Sequence, residues 1–389
     1  MPKIVIRDED TTSVSGIIEN DYAVFIPGLS TATTPPNKPT FFNSLAAFKI
    51  AIGDQPAVWG SNSTPDRSYI YACELLGAGL PVVYKVITVR NLESATEDAI
   101  CAAIAADTWS SEILDKGSLD ISFVTSGGYP AIYSSGAANM VAKLTTVAST
   151  RGDCFALIDL PPETDLADQG ASLPSSITGN AESFIVTPWI DWTPVYSGEI
   201  QSLNLPGSFA YLRAFANSIK NNSSWFAVAG VKRGLIGTNG TTVTYTNAEA
   251  DALQPNTGLS VNAITYIKPY GFTIWGNRTL NSNTGGLTAN SFVNIRQLVH
   301  EIKRHLYKVA RGLMFEPNDD ILWVNFRNAV TPLLDKMQSG QGISSYRLIR
   351  QASSARATLT AKIIIVPIEA VENFELTVIL TDEDTVVNG

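Results

Sequence analysis

The segment Phe315-Glu316-Pro317-Asn318-Asp319, followed at once by Ile321-Leu322-Trp323, closes one long amphipathic pattern and opens another. Upstream of it, Ile295, Leu298, Val299, Ile302, Leu306, Val309 and Leu313 recur at steps of three and four. At roughly 100° per residue they fall on one stripe, which a helix must bury. Arg296, His300, Lys303, Arg304, Lys308 and Arg311 are expected on the opposite side, a cationic face on a chain of net charge -9. Such a helix joins a core to something acidic. Gly312 lies near its end and Pro317 stops continuation, while Asn318 or Asp319 can cap the next helix by accepting otherwise unpaired backbone N–H groups. That next helix is expected through Trp323, Phe326, Val330 and Leu334.

A chain of 389 residues, 45% of them hydrophobic, can bury a large core and divides naturally into two or more domains. Only 16% of residues are charged, against about 25% in an average soluble chain. A surface so weakly charged suits extensive burial against other subunits, and the acidic balance argues against a nucleic-acid partner. Cys73, Cys101 and Cys154 are odd in number, widely spaced and lack a Cys-x-x-Cys pair, so they are expected as reduced core residues. The N-terminus lacks the apolar core of a signal peptide, and no run of about 18 apolar residues would span a membrane. Assembly in a reducing cytoplasm, with no membrane insertion, is the expectation.

Along the chain, residues 22–26 read as a strand, 31–40 as a proline-rich loop, 44–50 and 66–76 as helices and 80–89 as a β-rich run. From about residue 92 helix and strand alternate: helices at 95–106 and 137–149, strands at 121–125 and 155–160. Strand 184–188, helix 208–219 and strand 225–229 extend this α/β layer. Residues 283–289, rich in Asn, Thr and Gly, read as a hinge before the basic helix. Strands are expected at 346–350, 357–366 and 374–380. Both ends of the chain carry a short extended segment: Lys3, Ile4, Val5, Ile6 and Arg7 at one, and Phe374, Glu375, Leu376, Thr377, Val378, Ile379 and Leu380 at the other. An isolated terminal strand leaves backbone groups unpaired, a defect repaired either within its own subunit or by joining another subunit's sheet.

Catalytic constellations are hard to build from these residues. His300 and His305, five apart on one helix, point about 140° apart and cannot share a metal as an i, i+4 pair would. Ser126-Gly127-Gly128 and Gly234-Leu235-Ile236-Gly237 lack the Lys-Ser/Thr ending of a phosphate-binding loop, and no Gly-x-Ser-x-Gly elbow occurs. Asp319-Asp320 reads as helix capping, and Arg151-Gly152-Asp153 as a turn. No cofactor or metal site is expected, and an α/β enzyme with a terminal dimerisation strand stands only as the alternative from another class.

The motifs point elsewhere. Phe315, Glu316, Pro317, Asn318 and Asp319 followed by Leu322 and Trp323 resemble the signature of contractile tail sheath proteins, found in contractile-tailed phages, tailocins and related injection machines. Trp275, Gly276, Asn277, Arg278, Thr279 and Leu280 resemble the family's Trp-Gly-x-Arg-Thr-Leu stretch, and Gly258 to Asn262 its Gly-x-x-x-Asn turn. Ala229 to Gly234 resemble an Ala-Gly-x-x-Arg-Gly element, while residues 155–162 and Pro188-Trp189-Ile190 resemble strand ends in the same order. The family's Ala-Pro-Ala-Gly stands here as Ala227-Val228-Ala229-Gly230, and the N-terminal third matches only loosely.

The resemblance implies an α/β plus mixed-β fold: an outer α/β domain, an inner α+β domain built from the N-terminal arm and C-terminal region, and terminal strand-exchange arms. The expected divisions are an arm and linker at 1–22, the outer domain at 23–284 with its α/β part at about 92–230, the inner domain at 285–370 and the C-terminal arm at 371–389. It further implies a structural subunit that polymerises as stacked hexameric rings around an inner tube. Contraction would then drive the tube through a cell envelope during phage genome delivery. A tailocin, secretion or extracellular injection machine is the nearer alternative; the single-chain match leans toward phage or tailocin, because type VI sheaths are commonly two-chain. Partners would be other copies of itself, the tube protein, and baseplate and tail terminator proteins, in a virion tail assembled in the host cytoplasm. Lys303, Arg304, Lys308 and Arg311 are the tube-contact candidates, the alternative being a merely solvated cationic face. Exposed ion pairs, worth about 0 to 1 kcal/mol each, suit a grip that must release.

Overall fold

The computed structural model describes residues 22–131, 140–167, 173–198, 201–351, 358–370 and 372. Both terminal strand segments, 3–7 and 374–380, lie outside the described residues. The largest sheet holds β1 (Val24–Gly28), β2 (Thr40–Phe42), β3 (Val82–Val86), β4 (Phe123–Val124), β5 (Phe155–Leu157) and β6 (Ser183–Phe184) in the order β2-β3-β1-β4-β5-β6. All neighbours run parallel except β2 against β3.

Alternation along β1 explains why the sheet is covered twice. Phe25 faces the core built by α2 (Glu97–Ala106) and α3 (Met140–Arg151), whereas Val24 and Ile26 face that built by α1 (Arg67–Gly77) and α4 (Gly207–Ile219). A strand buried on both faces reads as a continuous apolar run, as in Val24-Phe25-Ile26. Helix starts follow the sequence: the Asp66 side chain accepts from the Ser68 and Tyr69 N–H groups and Thr96 from that of Ala99. The α/β layer thus begins at Val24, well before residue 92, because two of its central strands, β1 and β3, lie in the N-terminal quarter. Cys73, Cys101 and Cys154 are unpaired and buried in these cores, and burial pushes each thiol up to about 12.

A smaller sheet orders β9 (Gly271–Trp275), β8 (Asn262–Ile267) and β7 (Val186–Thr187). The β8–β9 hairpin is an element that the periodicity reading passed over. The chain then enters α5 (Val293–Gly312), α6 (Asp320–Ser339) and the antiparallel hairpin of β10 (Ile343–Gln351) and β11 (Thr360–Pro367). These four elements enclose a third core of Leu298, Ile302, Phe326, Val330, Leu333, Leu334, Met337 and Ile343, closed from below by Trp225. Residues 225–229 are accordingly no strand: the Trp225 indole N–H reaches the Gly340 carbonyl at 2.9 Å, drawing the segment out of any ladder.

Residues 275–294 form the joint between the α/β layers and this third core. Asn262 donates its amide to the Ile185 and Arg278 carbonyls at 3.0 and 2.8 Å and accepts from the Arg278 N–H at 2.7 Å. Gly276 is required here, since a Cβ would sit 2.7 Å from Asn262 Oδ1 and 3.0 Å from its Cα. Thr279 donates to the Asn290 carbonyl at 2.7 Å, and the Leu280 N–H donates to the Ser183 carbonyl at 2.8 Å. Helix α5 has no cap from its own Phe292; Asn277 supplies one, accepting from the Asn294 N–H at 3.2 Å. The stretch at 283–289, expected as a hinge, is tied at its first residue and just past its last: Asn283 and Ser291 are buried, bonded to each other at 2.6 Å, and Asn281 donates to both, while Thr284, Gly285, Thr288 and Ala289 between them are exposed. Gly276→Ala is expected to lower stability by about 1–3 kcal/mol through overpacking against Asn262, read as a shifted urea midpoint with unchanged slope; an unshifted midpoint would contradict the joint.

Candidate functional site

Parallel α/β sheets commonly hold ligands in the crevice at the carboxyl ends of their strands. Here that crevice is filled by the protein's own side chains. Asp66, fully buried, accepts from Tyr129 Oη at 2.7 Å and from the Leu29 N–H at 3.1 Å, while Tyr84 donates to the Leu29 carbonyl at 2.9 Å. Asp159, at the end of β5, accepts from Ser208 Oγ at 2.8 Å at the start of α4. Burial pushes the Asp66 carboxyl up and that of Asp159 up to about 7, against the hydrogen bonds that each receives. Among the described residues no group of three or more His, Cys, Asp or Glu is placed to hold a metal ion.

The cationic face and the Phe315–Asp319 motif lie on α5, α6 and the turn between them, beside the β10–β11 hairpin. The apolar stripe of α5 behaves as its spacing predicts in Ile295, Leu298 and Ile302, which are buried, while Leu306, Val309 and Leu313 pack at the edge of the third core. The opposite face is docked on the α/β layers. Arg296 and His300 both bond Glu182, and Lys303 lies 3.8 Å from the same carboxylate and donates to the Gly152 carbonyl at 2.7 Å. Arg304 donates to the Asp153 carbonyl at 2.6 Å, Lys308 pairs with Asp120 at 2.7 Å, and Arg311 donates to the Gly117 carbonyl at 3.0 Å. The acidic surface that this face meets belongs to its own subunit. Arg304 is only 3% exposed and serves as a packing residue, whereas Lys303, Lys308 and Arg311 keep exposed or half-exposed side chains.

Burial holds the His300 imidazole down to about 4, so at neutral pH it is an uncharged N–H donor packed edge-on against Phe155 at 4.5 Å. Burial also pushes Glu182 upward, but the hydrogen bond from His300 and the charges of Arg296 and Lys303 outweigh it and leave the carboxyl below its ordinary value. The acceptors on this seam, Glu182, Gly152, Asp153, Asp120 and Gly117, lie more than 110 residues from their donors and stand in loops without periodicity. No sequence signal marks them.

The Phe315–Asp319 turn is a two-helix corner. Asp319, rather than Asn318, caps α6 by accepting from the Leu322 N–H at 2.9 Å; Asn318 donates to the Thr358 carbonyl at 3.4 Å. Pro317 separates the helices, and Glu316 N–H bonds back to the Leu313 carbonyl. Leu322 is buried and Trp323 stacks on Phe326 at 6.0 Å. Phe315 has a left-handed φ of 72° and is fully exposed, beside exposed Met314 and Ile321. Of the upstream motif, Trp275 donates to Asp251 at 3.0 Å and Leu280 is fully buried.

With this geometry in view, comparison with known proteins gives a consistent picture. No protein-family profile matches the chain. The chain is 24% identical over 196 residues to the tail sheath protein of Vibrio phage KVP40; the match spans 49% of this chain and 28% of that relative. The fold matches a chain in the baseplate of the anti-feeding prophage with a TM-score of 0.67 at 16% identity, covering 93% of this chain and 94% of that one. It matches the contracted sheath of the extracellular contractile injection system PVC with a TM-score of 0.67 at 15% identity, covering 99% and 98%. A sheath tail protein of Desulfitobacterium hafniense follows with a TM-score of 0.59 at 9% identity, covering 95% and 100%. The fold is that of contractile sheath proteins, as the motifs led us to expect. These relatives are structural sheath proteins, not enzymes.

Docking through a neutral buried histidine makes the seam sensitive to acid. His300 is depressed when folded, so its contribution is complete above pH 6.5 and is lost as pH falls toward 4. Asp159, raised when folded, contributes in the opposite sense between its ordinary 3.8 and about 7, and Asp66, Glu182 and His305 are shifted as well, so the raw pH slope of the protein sums several groups. The difference between wild type and His300→Gln isolates the histidine: the stability advantage of wild type is expected to shrink by about 2 kcal/mol from pH 7 to pH 5. Urea unfolding at both pH values checks this, and an unchanged difference would show that His300 is not held neutral.

Proposed function

We propose that this chain is the sheath subunit of a contractile tail or injection machine, polymerising as stacked hexameric rings around an inner tube and contracting to drive that tube through a target envelope. The observation that carries the reading is the whole-chain correspondence, 99% of this chain against 98% of the other, with a contracted sheath. A tail of phage or tailocin type, delivering a genome in the phage case, is favoured by the stretch shared with the phage KVP40 sheath protein. Baseplate and tail terminator proteins would contact the ends of the assembly.

Three features of the surface support assembly. The corner residues Met314, Phe315 and Ile321 are apolar and exposed. The outer face of the β10–β11 hairpin carries Ile364 and Val366, with Ile368 just beyond it, all exposed. Clustered exposed apolar residues of this kind mark interaction surfaces. The β10–β11 sheet has only two strands and so leaves both of its edges open among the described residues, as acceptors for terminal strands 3–7 and 374–380 of neighbouring copies. In this reading the inner layer is α5, α6 and the hairpin. Lys303, Lys308 and Arg311 grip the tube with the part of each side chain that the subunit leaves exposed, and Arg304 supports them from within. Work is stored in the lattice, with one set of interfaces traded for another while the arms persist.

Negative-stain microscopy of the purified chain at rising concentration, alone and with tube protein, tests the reading. Striated cylinders or six-membered rings are expected; a persistent compact monomer under both conditions would overturn it. Deleting residues 3–7 or 374–380 is expected to leave a folded monomer that no longer polymerises, and normal cylinders from either truncation would rule out strand exchange.

A further inference from the structure

Arg278 is an odd residue to bury. It is 5% exposed, its guanidinium lies 4.9 Å from the Phe292 ring centroid, and Nη2 bonds Glu372 Oε2 at 2.5 Å. Nε and Nη1 have no hydrogen-bond partner among the described residues. The backbone of Arg278 is fixed on both sides by the Asn262 carboxamide and bridges Phe292 at the entry to α5. A fixed backbone and a flat aromatic floor aim the guanidinium, and a single carboxylate answers it. That carboxylate belongs to the tail of the chain, 94 residues away, beyond the end of β11.

Buried ion pairs give little net stability, since desolvation offsets their attraction, but losing one partner leaves an uncompensated charge, so they specify position. The half-satisfied guanidinium and the partly buried Glu372, whose carboxyl burial raises despite the opposing Arg278 charge, fit that role. At its other end this connection is also tied, because the Ile368 N–H donates to the Gly342 carbonyl at 3.1 Å. Between these two ties lie only residues 369–371. The tail therefore does not leave from the hairpin; it crosses to the joint first.

We infer that the Arg278–Glu372 pair is the anchor from which the C-terminal arm departs, and that it fixes which sheet edge on a second copy of this chain the arm can reach. The inference rests on the sheath reading above. Only Asn373 separates the anchor from the strand segment 374–380, which spans about 23 Å when extended at about 3.3 Å per residue. The accepting edge on the neighbouring copy must lie within about 26 Å of Glu372, the extended length of the eight residues to Leu380. Arg278 acts here as a positioning residue, through the arm and not by touching the neighbour.

The test compares the full chain with Glu372→Gln, Glu372→Asp and a truncation lacking residues 373–389. Readouts are melting temperature, polymer yield by sedimentation, and the rate of chymotrypsin cleavage at Phe374 in the dilute monomer. Glu372→Gln, which leaves the Arg278 charge without its partner, is expected to melt below wild type while still folding cooperatively, to be cleaved about tenfold faster, the scale of one charge-assisted hydrogen bond, and to polymerise poorly. Glu372→Asp, which keeps the charge, is expected to recover both properties in part. Wild-type cleavage and polymerisation in Glu372→Gln, beside a truncation that cannot polymerise, would overturn the anchor and leave strand exchange standing. A truncation that polymerises normally would overturn strand exchange itself. Global unfolding of Glu372→Gln would make the pair a core element and overturn the anchor.

Discussion

One helix serves two cores, and the rest of the subunit is arranged around that constraint. The apolar stripe of α5 closes the third core with α6 and the terminal hairpin, while its polar face sits on the edge of the α/β layers through Glu182, Asp153 and Asp120. An amphipathic helix ordinarily offers its polar face to water. Burying both faces requires that each cation find an acceptor, because an unpaired buried charge costs several kcal/mol. The seam meets this with carbonyls as much as with carboxylates: Gly152, Asp153 and Gly117 each contribute a backbone oxygen. The third core and the α/β layers are therefore bound by many directional contacts over one helix face.

This changes the meaning of the charge pattern. On a chain of net charge -9, a basic stripe suggests an acidic partner, and the partner turns out to be the same chain. Half of the stripe is consumed in folding, and its exposed remainder, Lys303, Lys308 and Arg311, is what a second surface could meet. A grip built from such a remainder is weak per contact and screened by salt. It would hold only where many subunits repeat it, which is the circumstance of a polymer around a tube.

How much was legible in the sequence follows from how local each signal is. Helices α1, α2, α4 and α5 were readable to within two or three residues and the start of α6 from its cap, because stripe spacing and capping residues such as Asp66, Thr96 and Asp319 act over a few positions. The motif residues were readable as positions but not as causes. Gly276, Arg278 and Asn262 make sense only once one side chain is seen bonding two strands and the segment after β9. The strand expected at 225–229 failed because Trp225 and Phe226 answer to the third core and Val228 to the core under α1 and α4, not to a ladder. The hinge expected at 283–289 was read from Asn, Thr and Gly content, which does not show that Asn283 is tied to Ser291 and Asn281 to both. The acceptors on the α5 seam left no trace, being single acids and carbonyls in loops.

The closed crevice and the pinned joint point the same way. At the strand ends Asp66, Tyr84, Tyr129, Asp159 and Ser208 occupy the crevice and satisfy one another. A lattice subunit of the kind proposed would need a body that transmits displacement without absorbing it. Short polar side chains suit this better than salt bridges between long ones, because an Asn or Thr loses little rotamer freedom when fixed and its bonds are direction-sensitive. Rigidity at Asn262, Asn277, Asn283 and Ser291 would then confine conformational change to the connections between copies. Under the proposed function, the interfaces and not the interior would be the bistable element.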